Sequence, residues 1–457
     1  MVRVRSGFAV AVVALLIVSA CSSDKKTTTT GGGGSGASSS AAPLTASFRG
    51  VTATTIKIGI VRVKFTDCIE QFTQSTQGDA QKIEKALVDD FNANGGVDGR
   101  QLVVVFKELC PLKPDDVAAA CTSFTDDEQV FAVLGDYDTE PGDGTNQECI
   151  TKDHSTVLID DLSFQKALDE SPPGMLIRPS IAPKRGLEAV LGLLKAQNTL
   201  KGKKVAVLTD QTRADVSTKL VADNASALGY TTGSNAVLSI SGADTTAAQT
   251  QLDSFIEKWK SESVDTLIIT SLSAADRQFV DKIKKAIPSM QLVTDDSSAA
   301  NNGQTENKPD TKTTPNSYEG MLAAQGLTDE EQFETPEVQR CIKVYEKATG
   351  ETVTAPKDLK ADADGNLIKV YEGVQALCRD LTIFKQIAER AGPNLTNDTW
   401  TAAVKNFGEI LVLGTKFASL KDGKYDATDG FKLGSFDSSI QPFGDYKSLS
   451  DLIDVTK

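Results

Sequence analysis

Histidine is almost missing from this chain of 457 residues: there is one, His154. Serine–histidine and cysteine–histidine catalysis would both depend on it. It stands in TKDHSTVLID, just ahead of a strand-like run, where it reads as a solvated helix-end side chain. No CxxC pair occurs, so a structural zinc site lacks its usual spacing. A calcium loop is missing too, because DADGNLIKVYEG sets Gly365 two places early and puts Gly373 where the closing glutamate belongs. Positive charge is in short supply, with 62 acidic residues against 48 basic ones and a net charge of −14. That balance argues against nucleic acid and anionic lipid surfaces as partners. Past the amino end, no apolar run is long enough to span a bilayer. The neighbouring carboxylates Asp160 and Asp161 invite a glycosidase reading, but adjacent side chains on an extended segment point apart. With no nucleophile, base or metal constellation left, the chain reads as a binding protein rather than an enzyme, with no cofactor.

The amino end does carry an apolar run. Arg3 and Arg5 precede Phe8 to Val18, and small residues then lead to Cys21. The run is about half the length a bilayer core requires, so residues 1–20 read as a secretory leader. Val18-Ser19-Ala20-Cys21 resembles the bacterial lipobox. That resemblance implies acylation of Cys21 and cleavage before it, and two or three acyl chains anchor stably where one is marginal. Residues 21–52 are rich in Ser, Thr, Gly and Ala; with little to bury, they read as a flexible tether.

The remaining body of roughly 400 residues suggests about two domains. Its hydrophobic content of 40% and charged content of 24% are ordinary for a globular protein. TTIKIGIVRV is a short β-branched strand, and the next stretch sets Ile83, Leu87, Val88 and Phe91 at helical spacing before Gly95-Gly96 stop it. GRQLVVVFKE, VFAVLGD and TVLIDD follow as strands separated by helices. The pattern restarts after LIRPSIAP, with a helix over 183–198 and strands at KKVAVLTD, AVLSIS, VDTLIITS and MQLVTDD. Strands alternating with helices demand parallel pairing with right-handed crossovers. The expected fold is therefore α/β, two doubly wound parallel-sheet lobes. SSAANNGQTENKPDTKTTPNS reads as a polar inserted loop, and helices are expected over 336–349, 367–391 and 397–406. The last third holds too little sheet for a domain of its own and reads as crossing back to complete both lobes.

IKIGI, ALVDDFNANGGVDGRQLVVVFKE, EQVFAVLG, LIRPS, KKVAVLTD, VDTLIIT and YEGMLAA occur in this order. Together they resemble the branched-chain-amino-acid type of periplasmic binding protein, the solute receptors of ABC importers. The resemblance runs over about residues 53–445, and NANGGVDGRQL is its most specific part. It implies type I lobes joined by three crossings, a solute in the cleft between them, and an ABC permease and ATPase as partners of a monomeric, lipid-anchored receptor on the extracytoplasmic face. Lobe boundaries are expected at 53–180 with 320–392, and at 181–319 with 393–457; crossings are expected near 178–183, 315–322 and 390–398. A ligand-sensing lipoprotein without an importer is the alternative.

Open α/β sheets bind ligands beyond the carboxyl ends of their strands. That rule selects Asp136, Tyr137 and Asp138 after VFAVLG and Asp160 and Asp161 after TVLI. In the second lobe it selects Gln211, Thr212, Arg213 and Asp215 after VAVLTD, and Ser271 and Ser273 after LIIT. GDYDTEPGDGTN departs from the small hydroxyl residues usual in the amino-acid receptors, and its acids suit a cationic or hydroxyl-rich ligand. With Cys21 assigned to lipid, six of the seven cysteines remain, which in an exported body reads as three disulfides. The coarse structure pairs Cys68 with Cys110, Cys121 with Cys149 and Cys341 with Cys378. The rival is Cys110–Cys121, leaving Cys68 to Cys149.

Overall fold

A computed structural model describes residues 43–457 except 72–74, 138–143, 163, 241–244, 272–274, 306–315, 364–365 and 441–443. The leader, Cys21 and the tether as far as residue 42 lie outside the described residues, as do Asp138 and Ser273. In the first strand, Thr55–Val63, apolar side chains pass alternately to two cores: Ile56, Ile58 and Ile60 to one, Val61 to the other. A strand buried on both faces needs such a continuous apolar run. Gln101–Leu109 pairs parallel on one side of it and Ala132–Gly135 on the other; Val157–Ile159 and Leu176–Ile177 complete a five-stranded parallel sheet. The second strand therefore lies outside the first, in flavodoxin-like order.

Helix Ala80–Ala93 starts where Asp79 accepts a hydrogen bond from Lys82 N at 2.9 Å and buries Ile83, Ala86, Leu87 and Val88. It stops at Gly95-Gly96. Gly96 has φ 59°, and a Cβ there would lie 1.9 Å from Arg100 O, so only glycine fits the turn back into the second strand. The same face of the sheet carries helices Pro336–Thr349, Val370–Ala391 and Asn397–Lys405. Trp400 binds them together: its ring lies 6.0 Å from Phe131 and 5.7 Å from Phe384, and its Nε1 donates to Gly174 O at 2.9 Å.

The second sheet is nine-stranded. Lys204–Asp210, Thr266–Ile269, Gln291–Thr294 and Leu322–Gln325 run parallel in that spatial order. Gly430–Asp437 and then Asp445–Ser448 add an antiparallel edge to the expected parallel sheet. Helices Thr246–Glu262 and Arg277–Ala286 cover one face, Pro183–Ala196 and Ala214–Leu228 the other.

Three segments cross between the sheets. The first follows Leu176–Ile177, within the expected 178–183. The second was expected near 315–322 but comes after Leu322–Gln325, because that strand pairs with Gln291–Thr294 and Gly430–Asp437 in the second sheet. The third was expected at 390–398 but comes just before Gly430, because Trp400, Val404, Ile410, Leu413, Leu420 and Ala427 all bury in the first core. The strand Leu322–Gln325 thus lies with the second lobe, and residues 393–427 pack with the first. The polar stretch read as a loop begins as helix Ser298–Thr305. Disulfides join Cys68 to Cys110, Cys121 to Cys149 and Cys341 to Cys378.

Candidate functional site

The carboxyl ends of the strands of both sheets open onto one cleft of about 710 Å³. From the first sheet it receives Arg62, Asp136, Asp161 and Arg178; from the second, Asp210, Thr212, Arg213, Ser271 and Asp296. The second crossing and helix Val370–Ala391 add Asp329, Lys369, Tyr371, Glu372 and Arg379.

Of the residues selected by sequence, Asp136, Asp161, Thr212, Arg213 and Ser271 line this cleft. Gly135 makes the turn into Asp136 possible: it has φ 113°, and a Cβ there would meet Val61 O at 2.0 Å. Four others point elsewhere. Tyr137 is fully buried, with its hydroxyl donating to Val117 O at 2.8 Å. Asp160 is fully buried as well; its Oδ1 accepts from Leu162 N at 2.9 Å and its Oδ2 from Gln147 Nε2 at 3.1 Å. It fixes the strand-end turn, while Asp161, one residue on, faces the cleft. Gln211 pins the end of a neighbouring strand through Ile240, donating to its O at 2.7 Å and accepting from its N at 3.2 Å. Asp215 is exposed in the first turn of helix Ala214–Leu228. His154 caps a π-helical turn away from the cleft, with Nδ1 3.3 Å from Asp126.

Charged groups in and beneath the cleft wall stand in pairs. Arg379 reaches Asp161 at 2.7 Å and, through Nε, Asp380 at 3.2 Å. Burial works against ionisation of Asp161, but Arg379, Arg178 and the Ser180 hydrogen bonds outweigh it and hold its carboxyl down at about 2. Asp380 sits deeper; burial pushes it up to about 7 against the pull of Arg379. Burial likewise pushes Asp295 up to about 7, although Arg213 lies 3.4 Å away. Arg213 also donates to Thr270 O at 2.8 Å. Asp210 is held by Thr212 N at 2.8 Å and accepts from the Ser271 hydroxyl. On the opposite wall, Lys369 donates to Glu372 at 2.8 Å, and the Tyr371 hydroxyl lies 2.8 Å from Asp329 Oδ2 and 3.2 Å from Glu372 Oε1. Burial, then the two carboxylates, raise the Tyr371 hydroxyl far above its ordinary range.

Sequence reasoning passed over Arg62, Lys369, Tyr371, Glu372 and Arg379. Two signals point at part of this wall: Arg62 set between the apolar Val61 and Val63 of its strand, and the charged pair Arg379-Asp380, its aspartate buried, within a long amphipathic helix. The wall offers hydrogen bonds and charged groups of both signs, which suits reversible capture of a polar molecule. Among the described residues, only Cys121, Cys149 and His154 group as metal ligands do, away from the cleft, and the two cysteines are joined as a disulfide.

A profile described as periplasmic binding protein matches residues 73–429. No curated protein matches the chain significantly. Among solved structures, the chain is similar to a solute-binding protein of an ABC transporter from Rhodopseudomonas palustris BisB5 in complex with 3,4-dihydroxybenzoic acid. That match has 13% identity and a TM-score of 0.58, covering 88% of this chain and 98% of that one. It is similar to an ABC transporter substrate-binding protein from Desulfitobacterium hafniense in complex with Leu, at 15% identity and a TM-score of 0.57, covering 86% and 100%. It is also similar to a fatty acid ABC transporter substrate-binding protein from Thermomonospora curvata, at 16% identity and a TM-score of 0.59, covering 89% and 94%. At these identities the structures speak for the fold. The profile, spanning most of the sequence and strands of both sheets, adds the family: the chain belongs to the periplasmic binding proteins.

Proposed function

We propose that the chain is an extracytoplasmic receptor that closes its two lobes on a small solute and delivers it to an ABC permease and its ATPase. The observation that carries this reading is the cleft itself, a cavity lined by charged, hydroxyl and apolar side chains at the carboxyl ends of the strands of both sheets, where open α/β sheets take ligands. In the same reading, residues 1–20 direct export, lipid on Cys21 holds the protein at the membrane, and the tether lets a monomeric body turn towards its permease. Short flexible linkers raise effective concentration to about the millimolar range. The protein binds its ligand without chemical turnover.

Closure and anchoring are tested separately. Native mass spectrometry of protein purified without unfolding identifies the bound solute. Small-angle scattering of stripped protein, with and without that solute, is expected to show a smaller radius of gyration at saturation; an unchanged radius counts against a hinged receptor. Cys21→Ala is expected to move the protein from the membrane fraction into the medium, and a variant that stays with the membrane removes the lipid anchor from the reading.

A further inference from the structure

Arg62 lies in the cleft wall with only 4% of its surface exposed. Its Nη2 donates to Gln77 Oε1 at 2.6 Å. Its Nη1 is shielded and has no hydrogen-bond partner among the described residues. Asp136 Oδ2 stands 3.6 Å from that nitrogen, beyond hydrogen-bond reach. Leaving a shielded guanidinium donor without an acceptor is costly, and a polar contact of this length asks what bridges it.

Three kinds of ligand group can meet this pair. A carboxylate or phosphate satisfies Arg62 and is repelled by Asp136, and an ammonium does the reverse. A hydroxyl accepts from the guanidinium and donates to the carboxylate, so it satisfies both. Three further cations of the cleft already hold a carboxylate: Arg379 with Asp161 at 2.7 Å, Lys369 with Glu372 at 2.8 Å, and Arg213 with Asp295 at 3.4 Å. An anionic ligand that took one of these three cations would have to break its pair, and Arg178 Nε already donates to Ser180 Oγ and Ile181 O at 3.0 Å each, whereas hydroxyls can bond to the spare donors and acceptors of the pairs. Phe65 and Phe164 line the same cleft, and aromatic side chains suit the C–H faces of a saturated ring. We propose that the cleft takes an uncharged, polyhydroxylated ligand of sugar or sugar-alcohol chemistry, with one hydroxyl bridging Arg62 Nη1 and Asp136 Oδ2. This rests on the receptor reading above.

The test titrates the stripped protein by calorimetry with maltose, D-glucose, myo-inositol and xylitol, and in parallel with L-leucine, 4-hydroxybenzoate and spermidine. Any small molecule released from natively purified protein on denaturation is identified as well. The expected result is binding of a polyol, with an affinity that changes little between about 50 and 500 mM salt. Arg62→Met is expected to weaken it on the order of tenfold to a hundredfold. The deoxy analogue lacking the bridging hydroxyl should bind wild type and R62M alike, a coupling that a merely structural role of Arg62 would not produce. Asp136→Asn keeps an acceptor oxygen and should retain most of the affinity, which an ammonium ligand would lose; this variant decides if R62M fails to fold. Preferred binding of leucine, hydroxybenzoate or spermidine, or release of an ionic molecule, overturns the ligand class and leaves the receptor standing. Binding of nothing in the panel, with nothing released, overturns both. Unchanged polyol affinity in folded R62M overturns the site.

Discussion

Asp426→Ala is expected to destabilise the protein by about 3–5 kcal/mol, read by equilibrium urea unfolding. The reason lies where the first and third crossings run side by side. Arg178 N donates to Tyr425 O at 2.9 Å and Ala427 N to Arg178 O at 2.8 Å, so the two segments form a short ribbon between the lobes. Four ionic groups staple it. Arg185, in the first turn of helix Pro183–Ala196, reaches Asp426 through Nη1 and Asp429 through Nη2, the latter at 2.7 Å. Lys424 lies 3.0 Å from Asp429, and Asp426 Oδ2 also accepts from Ala182 N at 2.8 Å. Asp426 and Asp429 are almost wholly buried, at 3% and 2% exposure, so water cannot replace a lost partner. Alanine at 426 leaves two cations facing one carboxylate and orphans a backbone amide, both costly in a site of low dielectric. Asp426→Asn keeps an acceptor for Ala182 N and should cost less. A loss under about 1 kcal/mol for Asp426→Ala would show that solvent reaches the staple and that the crossing is held by its backbone hydrogen bonds alone.

The sheets were legible because their evidence is local. TIKIGIVRV and KKVAVLTD carry continuous apolar runs, and the helices between them repeat at helical spacing. The Cys68–Cys110 pair was legible because sheet order put the loops after the first two strands side by side, and Cys341–Cys378 because two successive helices can pack antiparallel. The second and third crossing positions were not: the pieces around the third crossing are two-residue strands such as Gly408–Glu409 and Ser419–Leu420, too short for any periodicity. The site was half legible. The rule that ligands lie beyond strand ends finds the right loops, but it does not say which of two adjacent side chains turns inward, so Asp136 and Asp161 came together with the core-facing Tyr137 and Asp160. The wall from Lys369 to Arg379 stayed hidden, because its helix begins at Val370, far along the chain from the last first-sheet strand at Leu176–Ile177, and its pattern reads as ordinary amphipathic packing.

Arg379→Met is expected to cost about 3–5 kcal/mol at pH 8, and less at pH 5. Its guanidinium serves two carboxylates at once: Asp161, lowered to about 2, and Asp380, raised to about 7 by burial in spite of it. The two have opposite signs in the wild type. Asp161, below its unfolded value of about 3.9, adds stability that is full above that value and lost as pH falls towards 2. Asp380, above its unfolded value, subtracts stability progressively as pH rises from about 4 to about 7, where the unfolded chain has released a proton that the folded chain still holds. Without Arg379 both carboxyls move up. At pH 8 the unfolded chain ionises freely, while the folded one must either hold two buried charges without their cation or pay to keep them protonated. Nearer pH 4 both can be neutral in the folded protein at little expense, so the gap between variant and wild type should narrow steadily on acidification. Urea unfolding of both proteins at pH 8, 6.5 and 5 measures it. Asp161→Asn in the Arg379→Met background removes one stranded charge and should recover part of the loss at pH 8 but little at pH 5. A loss that is equal at all three pH values, or no recovery in the double variant, would mean that Arg379 contributes through packing of its stem rather than through its charge.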